Sequence, residues 1–124
     1  MTNLFNQISH YSGIFPKREL EHIINNKEEY IPDLLEVVKQ TRDNPIKVIN
    51  DPTYMMHYYA MFLLTQFKVK EFLPIFTDIL KLPVNIVDDL LGSFITEDVY
   101  RIITTFFMLD KDLNKIIKLI KAMK

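Results

Sequence analysis

The sequence contains no cysteine and only two glycines among its 124 residues. Without cysteine the chain has no disulfides, no thiolate nucleophile and none of the common structural zinc sites. Two glycines are too few for the loops that bind phosphate groups, because those loops need several glycines in close spacing. These absences exclude several enzyme classes, and they favour a reducing, cytoplasmic location.

Positive and negative charges are nearly balanced, and the net charge is −1. A broad positive field that would attract nucleic acid is therefore absent. The longest apolar runs, YYAMFLL and FFML, are far shorter than the roughly 20 residues that span a bilayer. The first residues show no secretory pattern. We expect neither nucleic acid nor a membrane as the partner, and the frequent isoleucine, lysine and asparagine favour an AT-rich bacterial genome.

The composition, with 48% hydrophobic residues, is typical of one globular domain over residues 1–124. Residues 1–15 are polar with scattered aromatics, and we predict that they are loosely held, with a short docked turn around Leu4, Phe5 and Ile8. No later segment alternates with the period of a β-strand. Apolar spacing and proline or asparagine breaks predict about seven helices, at 16–26, 27–43, 52–67, 69–82, 85–91, 97–109 and 112–124.

Prolines supply most of the predicted helix boundaries. Pro16 suits the first position of a helix, where the missing N–H has no partner to lose. Asp51 followed by Pro52 is typical of a helix start, with the carboxylate as the cap. Asn44 followed by Pro45 indicates a helix end.

Two stretches of the chain have almost the same pattern. Residues 28–39 read EEYIPDLLEVVK and residues 70–81 read KEFLPIFTDILK, so Pro32 and Pro74 coincide at an offset of 42 residues. A repeat of this length is typical of HEAT and armadillo helix pairs, which bury their apolar faces by stacking. We predict a short right-handed α-solenoid of two to three such pairs, with 112–124 as a terminal capping helix. Chance similarity between two amphipathic helices is the alternative.

The segment from HYYAMFLLTQFKVKEFLPIFTDILKLP to DDLLGSFITEDVYRIITTFF resembles a bacterial family, domain of unknown function 1186. The resemblance covers roughly residues 16–109 and is most specific in LLGSFITEDVYRI. It implies HEAT-type helical repeats and no particular activity. Some members carry a cysteine-rich zinc motif at the C-terminus, which this cysteine-free chain lacks.

The predicted helix 52–67 is apolar on all sides. A helix of this kind must be covered all round, so it is either a central core helix or partly a binding surface. Tyrosine and methionine suit binding surfaces because they offer large contact areas at modest entropic cost. On the second interpretation, the residues that line a groove for a partner's helix or peptide are Tyr54, His57, Tyr58 and Met61.

No catalytic or cofactor-binding pattern stands out. The histidines His10, His22 and His57 are too far apart in sequence to form a helical ligand pair, so we expect no metal and no cofactor. An enzyme pocket assembled from distant residues such as His57, Tyr58 and Asp88 remains an alternative. A third hypothesis is that the protein associates with a membrane surface through the lysine-rich face of 112–124.

The sequence therefore predicts a non-catalytic bacterial protein that binds an unidentified protein or peptide. The sequence leaves the partner and the oligomeric state open.

Overall fold

The computed structural model describes residues 3–91, and every regular element in that part of the chain is an α-helix. This confirms the predicted all-α class. The predicted helices 97–109 and 112–124, including the basic face of the latter, lie outside the described residues. Within residues 3–91 there are seven helices, namely α1 (Asn3–Ile8), α2 (Lys17–Asn25), α3 (Lys27–Asp43), α4 (Pro45–Ile49), α5 (Met56–Gln66), α6 (Phe72–Leu80) and α7 (Val84–Leu91).

Helix α3 is central to the core, because it packs against both α5 and α6. Its buried side chains follow the helical period, at positions i, i+4, i+7, i+8 and i+11. Helix α4 packs against α7. The buried residues of α3 are Tyr30, Leu34, Val37, Val38 and Thr41.

Helix α6 contributes the largest apolar side chains. Phe72 and Phe76 are fully buried, one turn apart, with ring centroids separated by 5.4 Å. Ile79 continues the same face and is also fully buried. Burial of each such side chain contributes about 1.5–3 kcal/mol, and this burial favours packing of the nine-residue helix against α3.

The N-terminal segment folds onto the core. Residues 3–8, where the sequence suggested only a docked turn, form α1, and its Phe5 is fully buried with its ring stacked on Tyr30 at 5.9 Å. The chain then lies beside residues 53–55. There the Tyr11 amide donates a hydrogen bond of 2.8 Å to the carbonyl of Thr53.

This backbone pairing explains why α5 begins later in the chain than the sequence predicts. The prediction that this helix begins at Pro52 is wrong, since α5 begins at Met56. The Met55 amide, which a longer helix would direct to Asp51, donates instead to the Ser9 carbonyl at 2.6 Å. The Asp51 carboxylate accepts a 2.7 Å hydrogen bond from Nε2 of His10. Long-range backbone pairing therefore overrides the local aspartate–proline signal.

One other boundary differs slightly from the prediction, and one predicted helix stop has a second role. Pro16 immediately precedes α2, which begins at Lys17. Pro45, interpreted as a helix stop, is also the first residue of the five-residue helix α4. A proline can end one helix and also occupy the first position of the next, where its missing N–H has no partner to lose. Pro45 therefore both ends α3 and starts α4.

The two aligned prolines occupy different positions in their helices. Pro32 is the sixth residue of α3, whereas Pro74 is the third residue of α6. The first-turn amides of a helix have no intrahelical partner, so Pro74 removes no hydrogen bond. Pro32 removes the bond to the carbonyl of Glu28. The two stretches share a sequence pattern but not a common helix start.

A tight turn joins α5 to α6. Lys68 has a positive φ of 57°. The Val69 amide donates to the Leu64 carbonyl and the Lys68 amide donates to the Thr65 carbonyl, each at 3.0 Å. This is the Schellman arrangement, in which glycine usually takes the left-handed position. Lysine holds that position here, so the helix ends without the usual glycine signal in the sequence.

Candidate functional site

An apolar cleft of about 550 Å³ lies between α2 and α5. Phe15 stands at its rim, and Leu91 of α7 contributes to its wall. Concave surfaces lined mainly by apolar and aromatic side chains are the usual form of binding sites in proteins. The lining residues are Phe15, Lys17, Leu20, Glu21, Ile24, Met55, Tyr58, Tyr59, Phe62, Leu63, Gln66 and Leu91.

The α5 wall of the cleft is one helical stripe. Its side chains recur at i, i+3, i+4, i+7, i+8 and i+11, from Met55 to Gln66. Phe62 lies in the middle of this stripe and is 39% exposed. Another face of the same helix is buried in the core and includes Met56, Ala60 and Leu64. The core therefore covers only part of this all-apolar helix, and the remainder forms the cleft.

The α2 wall combines two aliphatic and two charged side chains. Leu20 and Ile24 are half-buried and lie one turn apart. Lys17 and Glu21 are also one turn apart on the rim, with 4.0 Å between the Lys17 ammonium and the Glu21 carboxylate. The two charged side chains are mostly exposed, so the α2 wall is an apolar stripe bordered by charges of opposite sign.

The segment before α2 is unusually apolar for an exposed stretch. Tyr11, Ile14 and Phe15 are 59%, 76% and 66% exposed. Gly13 has a φ of 89°, which L side chains rarely adopt, and this lets the chain turn between Tyr11 and Ile14. Exposed apolar side chains thus continue from the cleft onto the neighbouring surface.

Two neighbouring side chains of α5, one of which lines the cleft, bond to the backbone of α7. The Tyr58 hydroxyl donates a 3.0 Å hydrogen bond to the Leu90 carbonyl, and Nε2 of His57 donates to the same oxygen at 3.2 Å. The rings of His57 and Tyr58 lie 3.9 Å apart. Burial raises the pKa of Tyr58, and burial, with a smaller contribution from Tyr11, raises the pKa of Tyr59. Both phenols therefore stay protonated at neutral pH.

His57 is buried without a full set of hydrogen bonds. Only 3% of the residue is exposed, and Nδ1 has no hydrogen-bond partner within residues 3–91. Desolvation lowers the pKa of His57 to about 4, although the bond to the Leu90 carbonyl opposes this shift. The imidazole is therefore neutral near pH 7, and it acts as a packing and hydrogen-bonding group of the core.

A second cavity, of about 450 Å³, is lined by side chains of α3 and α4 together with His10, Asn44, Asp51 and Tyr54. His10 and Asp51 form part of its wall and are bonded to each other. Tyr54 also lines it, with its ring edge-on to His10 and stacked on His57 at 5.5 Å. The walls of this cavity are mostly exposed polar side chains, unlike those of the apolar cleft.

The four residues that the sequence suggested for partner binding do not share one surface. Tyr58 lines the apolar cleft, and Tyr54 lines the polar cavity. His57 and Met61 are buried in the core. The sequence interpretation did not include Tyr59 and Phe62 among the binding residues. Their i, i+3 spacing, continued by Gln66, was the signal available for them.

The residues of the alternative enzyme pocket are only partly brought together. His57 and Tyr58 meet at the Leu90 carbonyl, whereas Asp88 lies on the exposed side of α7. Across residues 3–91, no three histidine or acidic side chains are placed to hold a metal ion. In the same part of the chain, no helix is both long and apolar enough to cross a bilayer.

The chain is similar to proteins of two Chlamydia species. It is 27% identical over 105 residues to an "Uncharacterized protein" of Chlamydia muridarum and, equally, to one of Chlamydia trachomatis serovar D. Each alignment covers 85% of this chain and 42% of the relative, so the chain spans less than half the length of these curated relatives. No solved structure matches the chain. The family described as "Protein of unknown function (DUF1186)" matches residues 1–124, and the chain belongs to this family.

Proposed function

We propose that this chain is a non-catalytic helical-repeat module of the bacterial cytoplasm that binds another protein through the α2–α5 cleft. The single observation that carries the proposal is the cleft itself, a concave apolar surface with Tyr58, Tyr59 and Phe62 along one wall. The partner would insert an apolar segment between the two helices.

The repeat supports this architecture. α2 with α3 would form one helix pair and α5 with α6 a second, with the two similar stretches, 28–39 and 70–81, falling mainly in the second helix of each pair. Contact of α3 with both α5 and α6 fits two neighbouring pairs that bury their apolar faces together. In HEAT-like proteins such stacking creates grooved surfaces that hold partners, and the cleft would be the groove of this short array.

The chemistry of the cleft favours protein binding over catalysis. Aromatic residues are enriched at the energetic centres of protein interfaces, and the α5 wall presents three of them. The charged groups of the cleft, Lys17 and Glu21, stand at the rim and not on the floor. Burial of one leucine-sized side chain in such a site contributes about 1.5–3 kcal/mol, so each inserted side chain would offset part of the entropy that the two proteins lose on association.

A matched pair of variants tests the proposal. Phe62→Lys places a charge inside the cleft, whereas Ile46→Lys places one at an exposed apolar residue of α4, 51% exposed, that is not part of the cleft. Tagged wild type and both variants are expressed in the native cells, and the proteins that co-purify are quantified by mass spectrometry. Circular dichroism verifies that each variant keeps its helical content.

We expect a partner that is recovered with the wild type and with Ile46→Lys but is lost with Phe62→Lys. Recovery of every partner by folded Phe62→Lys would contradict a binding role of the cleft. A partner lost equally with both variants would point to a different surface.

A further inference from the structure

The exposed apolar residues beside the cleft, Ile14 and Phe15, indicate which kind of protein would bind there. Phe15 stands at the rim with 66% of its surface exposed, and Ile14 next to it is 76% exposed. Exposed apolar side chains that adjoin an apolar hollow are a common feature of protein interaction sites. A projecting aromatic group therefore stands directly beside an apolar hollow, and both belong to the same face of the molecule.

The charged residues on this face could pair with the same residues of a second copy of the chain. Lys17 and Glu21 lie one turn apart on α2, with Leu20 and Ile24 on the same wall. In a two-fold interface, a residue i that contacts residue j is matched by a second contact from j to i. Two α2 helices placed antiparallel would therefore set each lysine opposite a glutamate, with the aliphatic residues between them.

We propose that the protein bound at the cleft is a second copy of this chain, related by a two-fold axis that runs close to α2. Phe15 of each copy enters the cleft of the other and contacts Phe62, while the α2 helices pair through Lys17 and Glu21. This inference rests on the proposed function, because it names the partner of the same cleft. A net charge of −1 per chain adds little repulsion between the two copies.

Charge reversal tests the α2 contact. Glu21→Lys makes both rim charges positive, and Lys17→Glu makes both negative. Each single variant then replaces two attractive pairs of the homodimer by two repulsive ones, and we expect dimerisation to weaken by about tenfold at low salt. The two variants mixed in equal amounts restore opposite charges across the interface and should form a heterodimer as readily as the wild type dimerises.

A second variant tests the aromatic contact. Phe15 is mostly exposed, so Phe15→Ser should leave the fold of one chain intact while it removes the group that enters the facing cleft. Ile46→Ser, at another exposed apolar position, is the matched control. Sedimentation-velocity measurements up to about 0.5 mM protein detect even a dimer with a dissociation constant near 0.1 mM.

We expect wild type and Ile46→Ser to sediment as dimers, Phe15→Ser to sediment as a monomer, and the mixed charge variants to recover the dimer. A wild type that remains monomeric would overturn the inference. So would a dimer that neither Phe15→Ser nor the charge reversals weaken. If the wild type is monomeric while Phe62→Lys still loses a partner in cells, only the second copy is refuted and the proposed function stands. If no partner depends on Phe62 either, both fail.

Discussion

The buried imidazole of His57 makes the stability of this protein depend on pH. His57 donates through Nε2 to the Leu90 carbonyl and has no partner for Nδ1 within residues 3–91. Desolvation lowers its pKa from 6.5 to about 4 in the folded protein. A proton on His57 would place a buried charge between Tyr54 and Tyr58, both of which contact the ring. We therefore expect protonation of His57 at low pH to destabilise the folded protein.

The sign of the effect follows from proton binding. Between pH 6.5 and about 4 the unfolded chain carries a proton on His57 and the folded chain does not. The unfolded state therefore binds more protons, and the free energy of unfolding falls as the pH falls. The contribution of His57 to stability is complete above pH 6.5 and is lost as the pH approaches 4.

The size of the effect follows from the shift. A pKa difference of about 2.5 units corresponds to about 3 kcal/mol, since each unit is worth about 1.4 kcal/mol. About 2 kcal/mol of this is already lost near pH 5, because the unfolded histidine is almost fully protonated there. Small domains are stable by only about 5–15 kcal/mol, so the loss is a large part of the total.

Urea unfolding followed by circular dichroism measures this loss. The free energy of unfolding is compared between about pH 7 and about pH 5 for wild type and His57→Gln, in which the residue cannot titrate. We expect the wild type to lose about 2 kcal/mol more than His57→Gln over this range. His22→Gln, at an exposed residue, is the control and should behave like the wild type. Equal losses in wild type and His57→Gln would refute the reasoning.

Three further predictions concern the helices, and thermal unfolding measures all of them. Pro32→Ala should stabilise the protein by about 1–3 kcal/mol because it restores a hydrogen bond inside α3, whereas Pro74→Ala should be nearly neutral because the amide it creates has no intrahelical partner; equal effects would contradict the difference in helix position. Lys68→Gly should stabilise by about 1 kcal/mol because φ is positive there, whereas Lys81→Gly, where φ is −82°, should destabilise by a similar amount. A destabilising Lys68→Gly would refute the proposed turn. Met61→Ala should cost about 2–5 kcal/mol, since the side chain is fully buried; a loss below 1 kcal/mol would place Met61 on a surface.

The helices that the sequence predicted well have strong periodicity and clear ends. α3 ends at Asp43, directly before the asparagine–proline pair that predicted its end, and α7 begins within one residue of the prediction. The helices that the sequence missed, α1 and α4, contain six and five residues. Helices this short have little intrinsic stability, so they form only because tertiary contacts hold them. Their sequences consequently carry almost no periodic signal.

The start of α5 illustrates a different kind of error. Asp51 and Pro52 are good local signals for a helix start, but the amide of Met55 is bonded to Ser9, more than forty residues away in sequence. Local preferences of this kind amount to about 1 kcal/mol. Docking of the N-terminal segment, with the burial of Phe5, outweighs them.

The candidate site was only partly predictable for a related reason. The sequence indicated that the helix around residues 54–67 needs covering on all sides, and Tyr58 was among the residues suggested for a groove. Which face of this mostly apolar helix lines the cleft depends on where α2, α3 and α7 lie. The sequence alone therefore could not separate Met61, which is buried, from Phe62, which lines the cleft.

The amino-acid sequence by itself determined the all-helical class, the approximate extent of five helices and the family, because helical periodicity, proline positions and family similarity are properties of the chain read in order. The tertiary structure alone decided where α5 begins, which of its faces is buried, and that an apolar cleft opens toward α2. These depend on contacts between residues distant in sequence, and the burial energy of such contacts exceeds the local preferences that a linear pattern records.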